Sequence, residues 1–83
     1  MRYEIPNNAV HHLGLGAWVE IIEAYDLREE TDAIRVTAMR VGSETIAFSD
    51  KARHLSKPLR PHEGQVIAIE KQSDRTLFRI HLS

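Results

Sequence analysis

Four stretches of the chain carry the patterns of strands. AIRVTAMRV (33–41) sets Ile34, Val36 and Ala38 on one face and Arg35, Thr37 and Met39 on the other. TIAFSD (45–50) follows after Gly-Ser-Glu, which predicts a hairpin whose short turn uses Gly42 for a positive φ or a bulge. QVIAIEK (65–71) is an apolar strand. TLFRIHL (76–82) alternates Phe78, Ile80 and Leu82 with Leu77, Arg79 and His81. The polar turn QSDR between these two predicts a second hairpin.

GAWVEIIEAYDLREE (16–30) supports two predictions. As a helix, Trp18, Ile21, Ile22 and Tyr25 form a stripe opposite Glu20, Glu23 and Glu30. As a strand its alternation is poor, yet Trp, Val, Ile and Tyr are strand formers, and Gly14 and Gly16 just upstream disfavour a longer helix. A long first strand, bent by a bulge, reconciles periodicity with residue type. The predicted fold is therefore mainly β: a small five-stranded antiparallel barrel made of a long strand, a hairpin, a connection and a second hairpin. For that connection the sequence predicts a loop or a short helix over Lys51 to Leu55, capped by Ser49 or Asp50 and ended by Pro58. The layout resembles an OB-fold, in which a short helix lies between strands 3 and 4. The alternative is an α+β domain, with one helix over 17–30 packed on a four-stranded antiparallel sheet. Residues 1–83 make one small domain, in which 1–12 form an edge strand, a swapped arm or a flexible tail.

Size narrows the function classes. A chain of 9.5 kDa buries roughly 63% of its unfolded surface, enough for one thin core but not for a deep substrate cavity. Cysteine is absent, which removes disulfides, thiolate catalysis and thiolate metal sites. With no disulfides, no apolar signal core in MRYEIPNN and no apolar run of spanning length, a cytoplasmic protein without a membrane segment is expected.

The formal net charge of −1 hides a division. Residues 1–48 hold four Lys/Arg against eight Asp/Glu, a net −4; residues 49–83 hold seven against four, a net +3. Such a dipolar chain suits protein docking or a modest anion site, and lacks the basic surplus typical of nucleic-acid binders.

No catalytic or metal constellation emerges. His11 and His12 are adjacent and diverge in a strand, so they chelate poorly, and His54, His62 and His81 are scattered. No serine sits in a nucleophile elbow. LGLG (13–16) lacks the third glycine and the preceding strand of a dinucleotide motif. Carboxylate pairs such as Glu20/Glu23 and Glu29/Glu30 match a solvated acidic face better than an acid–base pair. No enzyme activity, cofactor or metal is expected.

The basic stretch SDKARHLSKPLRPHEG (49–64) remains. Its Lys51, Arg53, His54, Lys57 and Arg60 are the predicted contact residues, set beside Arg35, Arg79 and His81 on one barrel face, with Trp18 as an anchor. Two functions follow. The first is a protein-binding module: an adaptor, an inhibitor or an oligomer subunit, including a homodimer. It draws on Trp18 and on Met39 and Leu77, both predicted on polar strand faces. The alternative is single-stranded nucleic-acid binding through the same cations. Its supply of stacking aromatics is thin, because Phe48 and Phe78 are predicted core and Trp18 and Tyr25 lie among acidic residues.

Overall fold

β-Branched and aromatic residues concentrate where strands form. The computed structural model describes residues 1–48 and 59–82, and among them six strands. These are β1 (Tyr3–Ile5), β2 (Trp18–Asp26), β3 (Ile34–Val41), β4 (Glu44–Ala47), β5 (His62–Lys71) and β6 (Thr76–Leu82). A 3-10 helix (Asn7–His12) follows β1, and a single helical turn, α1 (Arg28–Thr31), joins β2 to β3. No helix among the described residues is long and apolar enough to cross a membrane.

The helix over 17–30 does not form; Trp18–Asp26 is a nine-residue strand. Residue type outweighs periodicity here because the strand is bulged. Ile21 pairs with Met39 and Glu23 with Ala38, which leaves Ile22 as an extra residue. That one insertion accounts for the poor alternation.

The sheet runs β1–β6–β5–β2–β3–β4 and closes through a parallel β1–β3 pairing. Five strands thus form a closed barrel, with β4 an extra strand on β3. The expected architecture is present with one stave exchanged. β1, in the segment expected as an edge, an arm or a tail, is held on both sides: Tyr3 pairs with Phe78 of β6 and with Ile34 of β3. The helix or loop expected over Lys51 to Leu55 lies outside the described residues.

The core follows from this closure. Tyr3, Ile5, Val19, Ile21, Ile34, Val36, Met39, Val66 and Phe78 are all at least 98% buried. Each large apolar side chain removed from water is worth about 1.5–3 kcal/mol. Tyr3 and Phe78 stack with ring centroids 5.4 Å apart. Ala9 of the 3-10 helix is buried with this cluster.

One face assignment, that of Met39, and one expected exposure, that of Leu77, are corrected. Met39 is buried, because Ala38 pairs with Glu23 while Val36 pairs with Ala24, so Thr37 is an extra residue in β3. A one-residue slip exchanges the faces beyond it, moving Met39 from the predicted polar face to the core. Leu77 is buried as well, because β1 and β5 flank β6 there and set Glu4 and Glu70 on either side of it. Neither residue is available as an exposed interface contact.

Two glycines act as expected of their geometry. Gly42 has φ +63° in the two-residue β3–β4 turn, the sign that a type II′ turn requires at its first position. Gly64 lies where β5 passes between β2 and β6, in register with Val19 and Leu82.

Candidate functional site

The outer face of β2, β5 and β6 carries exposed apolar and cationic side chains together, among them Trp18, Ile67 and Arg79. Its central row is set by register: Trp18 pairs with Gln65, and Gln65 with His81, so the three side chains share one face. Trp18 is 49% exposed, and its indole N–H donates to Glu63 Oε2 at 3.2 Å. Arg79 stands on the same face of β6, two residues before His81, and both are exposed.

A bulge and a left-handed glycine bring two further apolar residues here. Val66 pairs with Ile80 and Ala68 with Arg79, so Ile67 is the extra residue; it is 56% exposed. Gly16, at φ +84°, turns residues 15–17 onto β5. There the Gly16 N–H donates to the Val66 carbonyl at 2.8 Å, and the Val66 N–H to the Ala17 carbonyl at 2.8 Å. Gln65 Nε2 adds a bond to the Gly16 carbonyl at 3.0 Å. Leu15, 72% exposed, immediately precedes this tether to β5.

Beside Trp18 lies an open cleft of about 330 Å³, walled by Trp18, Glu20, Arg40 and Glu63 and floored by Ala17 and Val41. Arg40 Nη2 donates to Glu20 Oε2 at 2.6 Å. Glu20 and Glu63 face one another as cross-strand partners.

Arg35 is not on this face. It pairs with Tyr25, seven residues along β2 from Trp18, roughly 23 Å away at 3.3 Å per residue. Its Nε donates to Glu4 Oε1 at 3.2 Å. Glu4, only 3% exposed, also accepts from Arg75 Nη1 at 3.1 Å and from the Thr31 hydroxyl at 3.2 Å. Arg75 Nη1 reaches the Thr31 carbonyl at 2.6 Å as well. This cluster ties β1, α1, β3 and the β5–β6 turn together, so it serves barrel closure. A small cavity of about 180 Å³ adjoins it, lined on its apolar side by Ile5, Pro6, Val36 and Phe48.

Of the other predicted contacts, Lys51, Arg53, His54 and Lys57 lie outside the described residues. Arg60 is exposed, and its carbonyl accepts from Nδ1 of His62 at 3.0 Å. The other ring nitrogen of His62, Nε2, is hydrogen-bonded with the Tyr3 hydroxyl. Burial raises the Tyr3 pKa above its ordinary 10.0, and the positive charge of Arg28 opposes that only in part. His11 and His12, at the end of the 3-10 helix, have tilted rings with centroids 4.0 Å apart, and no cluster of three metal-ligating side chains occurs among the described residues.

Sequence patterning therefore placed Trp18 and Arg79 correctly as exposed residues but missed Leu15, Glu63 and Ile67. Ile67 points outward only because of the bulge, which no local motif announces. Glu63 matters through its register with Glu20, a non-local fact. No family model matches the chain, and no curated protein or solved structure matches it.

Proposed function

We propose that this barrel is a small non-enzymatic module that binds a partner protein through the outer face of β2, β5 and β6. One observation carries the proposal: Trp18 is half-exposed and held in place by Glu63, on a face that also exposes Ile67, with Leu15 exposed in the adjoining turn. An aromatic anchor among aliphatic side chains with an arginine nearby is the composition that interface centres favour. Trp18 supplies anchoring area, while Arg79 and His81 act at the rim and set orientation and association rate. The nucleic-acid alternative is weakened at the same point, because the one exposed indole is bonded to a carboxylate and stands beside a second.

The test is a photo-cross-linking amino acid incorporated at position 67, compared with the same group at Ser73 in the remote β5–β6 turn. Protein adducts at 67 but not at 73 are expected. Nucleic-acid adducts at 67, or equal labelling at the two positions, would refute the proposal.

A further inference from the structure

We propose that the cleft beside Trp18 receives a cationic side chain, lysine or arginine, of the partner protein. This rests on the protein-binding role proposed above and specifies the chemistry of what binds. The register carries the inference. Glu20 and Glu63 are directly opposed in the antiparallel β2–β5 pair, an arrangement that like charges destabilise. Arg40 neutralises one of them, at 2.6 Å from Glu20. Glu63 has the neutral indole N–H of Trp18 at 3.2 Å. The group of three side chains therefore keeps one negative charge in excess, at the mouth of an open cleft of about 330 Å³.

The indole completes the fit. Its hydrogen bond to Glu63 fixes the ring, and an aromatic face attracts a cation through its quadrupole. A lysine or arginine stem lies along Ala17 and Val41 while its charged head reaches Glu63 and the Trp18 ring. A phosphate meets the wrong sign of charge here. An uncharged aliphatic side chain leaves the opposed carboxylates uncompensated. A cation alone satisfies the ring and the carboxylates together.

Trp18 is the only tryptophan of the chain, so its emission reports on this cleft directly. The protein is titrated with Nα-acetyl-lysine amide and Nα-acetyl-arginine amide, and with Nα-acetyl-norleucine amide as the uncharged control. A saturable response to the two cations, weakened by salt, is expected, with none to the control. Glu20→Gln and Glu63→Gln should each weaken it about fivefold, the scale of one exposed charge interaction. Each substitution also relieves the opposed charges, so the variants should unfold at urea concentrations no lower than the parent, which separates lost binding from lost folding.

An equal response to the norleucine derivative, no saturation, or undiminished binding by both variants overturns the inference. An emission shift with protein concentration alone makes the occupant a second copy and overturns the assignment to a separate partner. If the probes fail while position 67 still captures protein, only the cation assignment falls. If position 67 captures no protein, the binding role falls with it.

Discussion

Gly64 of β5 lies so close to the backbone of His81 on β6 that a Cβ at position 64 would overlap the His81 carbonyl group. The obstacle is backbone on a paired strand, which cannot swing aside as a flexible side chain does. Gly64→Ala should therefore destabilise the barrel by about 1–3 kcal/mol, the cost of overpacking a close-packed interior. A urea melt checks this. An unchanged midpoint would mean that β5 and β6 separate at Gly64 without loss.

Glu4 is the carboxylate on which barrel closure depends. Glu4→Ala removes the shared acceptor of Arg35, Arg75 and Thr31 and leaves two guanidinium groups beside an apolar gap. The expected loss is about 3 kcal/mol, at the low end for a broken buried pair because both arginines keep some contact with water. Equilibrium unfolding of the variant beside Arg79→Ala, an exposed control of little consequence, measures it.

Acid should weaken the β2–α1 corner in a defined window. Arg28 donates to Asp26 through Nη2 at 2.6 Å, through Nε at 2.9 Å and through its backbone N–H at 3.0 Å. The side-chain bonds first, and the backbone bond next, hold the Asp26 pKa at about 2 against an ordinary 3.8. A carboxylate whose folded pKa is depressed stabilises the fold above its unfolded pKa and loses that contribution as pH falls. The Tm advantage of the parent over Asp26→Asn should thus be constant above pH 3.8 and shrink toward zero near pH 2. A difference that does not change over that interval would contradict the assignment.

At the alkaline end the sign reverses. Burial raises the folded pKa of the Tyr3 phenol above 10.0, so its contribution is present below that value and is lost as pH rises through the folded pKa. With Tyr25→Phe as background, Tyr3 is the only phenol left, and absorbance titration of phenolate formation should give a midpoint above 10.0. Tyr3→Phe should cost about 1 kcal/mol at neutral pH through the lost hydrogen bond to His62. It should also remove the steepest part of the alkaline decline.

The strands were legible in the sequence because β-branched and aromatic residues mark them, as at Val19, Ile21, Ile34 and Val36. Their faces were legible only up to the first bulge. Thr37 inverts the pattern for Met39, and Ile67 turns outward, because a bulge is set by the partner strand rather than by the residues around it. β1 was the hardest element to read. Tyr3-Glu4-Ile5 is short and has a charged centre, and Glu4 becomes a core-compatible residue only when Arg35 and Arg75, far along the chain, are folded against it. The same distance explains the site. Trp18 and Arg79 could be chosen by residue type, whereas Arg35 looked available until its acidic partner was known.

The two-sided pairing of β1 has a consequence for how the protein is made. Residues 3–5 leave the ribosome long before residues 76–78, which they must meet on β6. β2, β3 and β4 can zip together while translation continues, but no stave order closes the barrel before β6 is released. Until then the unpaired flank of Tyr3–Ile5 and the apolar interior face of β3 stand open to water and to neighbouring chains. That exposure lasts as long as closure takes, and pairing between strands so far apart in sequence is intrinsically slow.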